Sequence, residues 1–254
     1  MLRLSTISKH FGGLQVLENV NLAIPERAIF GLIGPNGAGK TTVFNLITGL
    51  LTPTAGTIDF FGQRLNGLAP HQITRSGIAR TFQNIRIFKE MSLVENVLVA
   101  IGRRQRYRAA SVLFPSRRFY LAEQSEREAA RDLLSRVGLA DKAQRFAGTL
   151  SYGEQRRLEI ARALATSPRL LLLDEPAAGM NSNEKHQLGE EIVKLHGSGI
   201  TILIIEHDMR FIMELCQQIV VLNFGQVIAQ GSPNEVRTNL EVIEAYLGRE
   251  GQSP

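Results

Sequence analysis

The segment Gly34-Pro35-Asn36-Gly37-Ala38-Gly39-Lys40-Thr41 constrains the fold more than any other stretch of the chain. It fits G-x-x-x-x-G-K-[ST] without a mismatch. The run before it, Ala28 to Ile33, is apolar on both faces and reads as a buried parallel strand. A helix is expected from Gly39 to Ile47, stopped by Gly49. Strand, glycine loop and helix in that order make a phosphate cradle, because glycines let successive N–H groups face one anion and the helix N-terminus adds partial positive charge. Lys40 would then reach the terminal phosphates, and the Thr41 hydroxyl would be a ligand for Mg²⁺. A nucleoside triphosphate site follows. The reaction does not, since kinases, GTPases and transport ATPases all use this loop.

The rest of the chain shows no repeat and no low-complexity linker, so its organisation is read from changing periodicity. Short β-like runs with turn signals occupy the stretch from Met1 to about Asp59. From about Asn84 to Ala165 the pattern is helical. One helix opens with a capping box at Ser92 and Glu95, a second is expected from about Leu121 to Val137 before Gly138, and a third from Ser151, with Glu154 three residues on, to Pro168. Strand signals return at Leu170–Leu173 and Thr201–Ile205, with a helix from about Glu184 to Leu195 between them and another capping box at Ser232–Glu235. Alternating buried strands and helices predict an α/β fold: a P-loop core with a parallel sheet, an N-terminal antiparallel β flap and an α-helical insertion. The expected sub-domains of this single domain are a core over 1–83 and 166–254 and an insertion over 84–165. With 44% of 254 residues apolar, such a core needs no disulfide staples.

The strand Leu170–Leu173 ends in Asp174-Glu175, at the sheet edge where ligands sit in open α/β folds. Asp174 is placed to hold Mg²⁺, directly or through water, and Glu175 to polarise the attacking water as general base. An acidic N-cap for the following segment is the alternative. Gln83, at the junction of core and insertion, is a candidate for the metal or the lytic water. His207 follows the last core strand, where a neutral imidazole could hydrogen-bond the γ-phosphate or serve a purely structural purpose. His10, His71, His186 and His196 have no such setting and read as surface or turn residues.

Twenty-nine Lys and Arg against 24 Asp and Glu leave a net charge of +5, which permits an anionic partner without choosing one. The single cysteine, Cys216, excludes an intramolecular disulfide framework and is expected as an inert core thiol in a reducing compartment. No apolar run approaches the roughly 18 residues that cross a bilayer, and the opening residues lack the apolar stretch of a secretory signal. Any membrane connection is expected to run through another protein.

Leu150-Ser151-Tyr152-Gly153-Glu154-Gln155, a short helix before Asp174, resembles the LSGGQ signature of ATP-binding-cassette (ABC) ATPases. The resemblance covers almost the whole chain. It implies that Phe11 stacks on adenine with Val16 beside it, that Gly34 to Thr42 bind the phosphates of ATP, and that Gln83 is the Q-loop residue. It likewise implies that Gly179-Met180-Asn181 form the D-loop and that His207 is the switch histidine. Thr41, Gln83 and Asp174 would then be the metal set, and Glu175, His207, Gln83 and Lys40 the catalytic one. Ser151, Gly153 and Glu154 would face the γ-phosphate held by a second cassette, so that two chains sandwich two nucleotides. Tyr152 stands where the family has glycine, Glu154 where glutamine is usual, and Asn181 where many cassettes carry aspartate.

Within the family, Phe11–Leu14, Gly77–Asn84, Asp174–Asn181 and Val242–Gly248 look like the ATP-binding subunit of branched-chain amino-acid importers, with cassettes of urea uptake and lipopolysaccharide export as alternatives. The implied partners are a second ABC ATPase subunit, identical or not, two transmembrane permease subunits, and indirectly an external solute-binding protein. The implied location is the cytoplasmic face of the membrane. Ile85, Arg86 and Phe88 are the expected socket for a permease helix, although Phe88 would serve equally as core. Arg103–Arg108 and Arg117-Arg118 make the insertion locally basic, as a solvated face or a lipid contact. Nucleic acid is not expected as a partner. A DNA-maintenance cassette would need a long coiled coil between Lys40 and Ser151, and translation cassettes generally come two to a chain.

Overall fold

The computed structural model describes residues 1–102 and 117–247. Arg103–Arg108 and Gly248 therefore lie outside the described residues. The chain divides into two compact units, the first made of Met1–Arg80, Arg169–Pro176 and His196–Pro254, the second of Thr81–Pro168 and Ala177–Leu195.

The first unit contains two sheets. Strands β1 (Leu2–Phe11), β2 (Leu14–Ile24), β4 (Ala55–Phe60) and β5 (Gln63–Arg64) form an antiparallel sheet in the order β2-β1-β4-β5. The second sheet runs β10-β9-β3-β8-β7-β6, built from β3 (Ile29–Ile33), β6 (Ile78–Arg80), β7 (Leu170–Asp174), β8 (Thr201–Ile205), β9 (Gln218–Asn223) and β10 (Gln226–Gly231). Its strands pair in parallel except for β10, which returns antiparallel along β9. All five residues of β3, β7 and β8 are buried, which explains why these segments read as unbroken apolar runs. Leu2, Leu4, Ile7 and Ile58 share one buried cluster with Phe30, Leu172 and Leu203 and with Phe44 of helix α1 (Lys40–Ile47). At ~1.5–3 kcal/mol per buried large aliphatic side chain, that cluster is the main source of the unit's stability.

The expected strands and the helix after the glycine loop are present. Elements with no expectation from the sequence include helix α2 (Pro70–Arg75), the three-residue β6, the strands β9 and β10, and α7 (Met209–Leu215), which Asp208 caps by accepting from the Phe211 amide at 3.1 Å.

The second unit is helical: α3 (Leu93–Gly102), α4 (Arg117–Arg136), α5 (Tyr152–Leu164) and most of α6 (Ser182–Gly197), with 3₁₀ turns at Ala140–Lys142 and Ala147–Thr149. Leu93, Val97, Ala130, Leu134, Leu158 and Ile192 are its fully buried centre. The capping box at Ser92 forms as expected, with Glu95 Oε2 accepting from the Ser92 amide at 2.8 Å. Two boundaries need correction. Helix α4 begins at Arg117 rather than near Leu121, and α5 stops at Leu164 instead of running to Pro168. Ser167, the residue before that proline, sits at φ 51° with its amide on the Leu164 carbonyl at 2.8 Å, so the chain has turned out of the helix already.

Candidate active site

In the first unit, β3 delivers the chain into Gly34, whose φ of 147° and surroundings admit only glycine: a Cβ there would lie 2.0 Å from the Leu222 carbonyl oxygen. Gly39 is similar, at φ 103° with a would-be Cβ 2.6 Å from Leu17 Cδ2. The loop is thus moulded against β9 on one side and β2 on the other. Gly225 ties the arrangement together, its amide donating to Ala38 O at 3.1 Å while its carbonyl accepts from Glu18 N at 2.9 Å. The N-cap of α1 is Gly39, which has no side chain to satisfy the first-turn amides, and the turn carries no acid. Such a helix start suits an anion. The buried Lys40 ammonium curls over the loop, donating to Gly34 O at 2.7 Å and Pro35 O at 3.0 Å. Asn36, Gly37 and Thr41 are exposed, Thr42 is partly buried, and Pro35 and Ala38 are buried beneath the loop.

Asp174 is the last residue of β7, opposite Ile205 of β8. It is only 3% exposed, and its Oδ2 accepts from Arg80 Nη2 at 2.7 Å. Glu175 follows in the left-handed region, at φ 48°, with its amide on Ile205 O at 2.9 Å. A glutamate in that conformation is uncommon and costs on the order of 1 kcal/mol or more, so the fold holds it there against local preference. The twist brings its carboxylate to the exposed His207, whose Nδ1 lies 3.8 Å from Glu175 Oε1. Phe11, at the end of β1, is 45% exposed with Lys9 Nζ 4.9 Å from its ring centre, and the Val16 carbonyl is one of the groups pressing on Gly39. Thus the glycine loop, Asp174, Glu175, His207, Phe11 and Val16 belong to one compact unit.

Gln83, Ser151, Gly153 and Glu154 belong to the other. Gln83 is exposed, but its backbone is fixed: its carbonyl and that of Phe82 accept from Arg156, and the Phe82 amide donates to Glu159 Oε1 at 3.1 Å. Ser151 caps α5, its oxygen accepting from the Glu154 amide while Glu154 Oε2 accepts from the Ser151 amide at 3.0 Å. The other Glu154 oxygen pairs with Lys142. Burial alone would push the Glu154 carboxyl up, but hydrogen bonds from Lys142 and Ser151 bring it below the usual carboxylate value. The glutamate in the signature is therefore a cap and an ion-pair partner. Gly153 is close to Glu184, where a Cβ would stand 3.1 Å from Oε1. Asn181 has a local role that aspartate would also fill, its Oδ1 accepting from the amides of Asn183 and Glu184 at 3.0 Å as α6 begins.

Arg80 was missed by sequence reasoning. The only hint was a charged side chain in a short apolar stretch before Gln83. Cys216 is the inert core thiol expected, 6% exposed, with burial pushing its pKa up to about 12. Phe88 is 44% exposed with the Arg162 guanidinium 4.8 Å above its ring, so it is not core.

Residues 17–178, more than half of the chain, match the ABC transporter family, and residues 226–251 match the branched-chain amino acid ATP-binding cassette transporter family. The chain is 48% identical over 249 residues to the high-affinity branched-chain amino acid transport ATP-binding protein BraF of Pseudomonas aeruginosa, covering 98% of each. Among solved structures it resembles the ADP conformation of MJ1267, an ATP-binding cassette of an ABC transporter, at TM-score 0.84 and 33% identity over 98% of both chains. It also resembles a dimeric post-hydrolysis state of the cassette MJ0796 bound to ADP and Pi, at TM-score 0.77 and 27% identity over 92% of this chain and 99% of that one. The glycine loop on its helix, the acid pair ending β7 and these matches agree: the chain belongs to the ABC transporter family, as an ATP-binding, ATP-hydrolysing cassette of the branched-chain amino-acid group.

Proposed function

We propose that this cassette closes on ATP together with a second cassette, identical or a sibling, and that closure and reopening drive a pair of permease subunits taking up branched-chain amino acids. One observation carries the catalytic part of this reading: Glu175 is held at φ 48° beside His207, immediately after the buried Asp174.

The roles follow from chemistry. Thr41 and Asp174, with the Gln83 amide oxygen, are hard oxygen donors, the kind Mg²⁺ takes when phosphate oxygens and water complete its shell. The ion would supply charge neutralisation on the phosphates. The loop amides from Gly34 to Thr42, Pro35 having none, and the Lys40 ammonium grip the phosphate tail, while Phe11 and Val16 receive the adenine. Glu175 accepts a proton from water as the water oxygen bonds to the γ-phosphorus and the bond to ADP breaks. His207 donates a hydrogen bond to a γ-phosphate oxygen. Ser151, Gly153 and Glu154, at the positive end of α5, complete the site of the other cassette.

No helix among the described residues is long and apolar enough to cross a membrane. The cassette then works at the cytoplasmic face through its permeases, with a solute-binding protein beyond them, and the exposed Phe88 with Ile85 and Arg86 is the docking point. The test is co-purification in mild detergent followed by reconstitution into vesicles. Two permease subunits should accompany the chain, and ATP should drive leucine, isoleucine or valine accumulation that vanishes with the Glu175→Gln variant. Recovery of the chain alone, or transport indifferent to that variant, would overturn the reading.

A further inference from the structure

Arg80 and Asp174 form a buried ion pair, Nη2 to Oδ2 at 2.7 Å, with side chains 6% and 4% exposed. The sequence places them far apart. Strand pairing brings them together: Arg80 of β6 lies opposite Leu172 of β7, so its side chain reaches the acid two residues further along. The second arm of the guanidinium goes elsewhere. Nη1 donates to Asn45 Oδ1 at 2.6 Å and approaches Thr48 Oγ1 at 3.5 Å, and the guanidinium carbon lies 5.4 Å from the centre of the Phe44 ring. Asn45, Thr48 and Phe44 all ride on or directly follow α1, the helix whose first turn carries Lys40 and Thr41.

The fork therefore spans the two elements that must present oxygen donors to one cation. Thr41 is fixed to α1 by its backbone, whereas the Asp174 carboxylate has two side-chain torsions of its own. We propose that Arg80 is a positioning residue for the divalent cation: gripping Oδ2 from an anchor on α1, it registers the Asp174 carboxylate against Thr41. This rests on the reading of Asp174 as a metal ligand.

Two effects of the guanidinium oppose one another. Its charge repels a cation nearby, and its grip spares the cation the cost of ordering the carboxylate. The geometry favours the second, because the charge is already balanced by Asp174 while the planar fork, with separate arms to Asn45 and Asp174, is shaped for orientation. Lysine keeps the charge but has no fork, so a role in charge balance and a role in positioning give different results for Arg80→Lys.

The experiment follows Mn²⁺ by electron paramagnetic resonance as it binds the full-length protein with ATP, alongside ATP binding without metal and the melting temperature. Removing an outer partner of a metal ligand typically weakens the metal about 10–100-fold. Arg80→Gln and Arg80→Lys should both weaken Mn²⁺ by at least about tenfold, with metal-free ATP binding changed less than about twofold. Asn45→Ala, which removes the α1 anchor and spares the pair, should move the same readout the same way by a smaller factor and keeps the proposal testable if the Arg80 variants fail to fold. Native Mn²⁺ affinity in Arg80→Lys, tighter Mn²⁺ in Arg80→Gln, or an unchanged Asn45→Ala would each overturn it. Asp174→Asn separates the two levels. If it leaves Mn²⁺ binding intact, the reading of Asp174 as ligand fails. If it weakens Mn²⁺ while folded Arg80 and Asn45 variants bind normally, only the positioning role fails.

Discussion

His207 Nδ1 stands 3.8 Å from Glu175 Oε1, beyond hydrogen-bond length yet within reach of one small movement or one bridging water. The two side chains come from the ends of neighbouring strands, β7 and β8, and neither is locked by burial. The base and donor roles proposed for them would thus be filled from adjacent strand ends.

Glu175→Gln removes the proposed proton acceptor and preserves shape. Hydrolysis should fall by about 10²–10⁴-fold while ATP still binds and ATP-bound dimers accumulate. Turnover is read by phosphate release and dimers by gel filtration with ATP. Full turnover would remove Glu175 from the role of base. His207→Ala should lower kcat more than it raises KM, since a donor to the γ-phosphate acts most strongly as charge develops there.

Ser151→Arg places a bulky cation at the start of α5, where the Ser151 oxygen now accepts from the Glu154 amide. Hydrolysis should be abolished, while a single chain still binds ATP with near-native affinity, because the glycine loop lies in the other compact unit. The same logic predicts that wild-type turnover rises faster than linearly with protein concentration. Strict proportionality at low concentration, or normal turnover of the Ser151 variant, would contradict a site completed by a second cassette.

Cys216 should resist alkylation as long as the protein is folded. Its thiol is pushed up to about 12 by burial, so at pH 8 only about one molecule in ten thousand carries the reactive thiolate. The sulfur also packs against Gly31 of β3, where a Cβ would stand 3.2 Å away. Labelling with iodoacetamide should appear only as urea unfolds the chain, in step with the unfolding curve.

What could be read from the sequence was whatever depends on neighbours in the chain. The glycine loop, Asp174-Glu175 after four leucines and the capping boxes at Ser92, Ser151 and Ser232 are all local patterns, and each forms as local chemistry requires. Arg80 on Asp174 and Arg156 on the Phe82 and Gln83 carbonyls join residues that only tertiary folding brings together. No spacing rule reveals such pairs. The left-handed turn at Glu175 was hidden for another reason: glutamate has no preference for it, and the conformation goes with a long-range hydrogen bond from its amide to the Ile205 carbonyl. The end of α5 was misplaced because proline marks where a helix cannot continue, not where it stops.

The pair Arg156 and Glu159 yields the last prediction. Arg156 is fully buried and Glu159 nearly so, with Nη1 to Oε2 at 2.8 Å, and together they hold three backbone groups of Phe82 and Gln83. Arg156→Met takes the cation from a buried carboxylate and the guanidinium donors from the Phe82 and Gln83 carbonyls, and should cost about 3–5 kcal/mol of stability. Glu159 itself is pushed above its ordinary value of 4.5, burial outweighing the opposing pull of the Phe82 amide and Arg156. A carboxyl whose folded value is raised contributes stability that is fully present below the unfolded value and is lost as pH rises through the folded one. Compared with Glu159→Gln, which cannot ionise, the wild type should therefore lose ground as pH rises above about 4.5. Urea unfolding of both proteins on either side of that pH reads the difference directly. A wild type that gains on the variant as pH rises would mean that Arg156 more than repays the burial of the charge, and that the ion pair stabilises the signature helix against the Gln83 segment instead of merely ordering it.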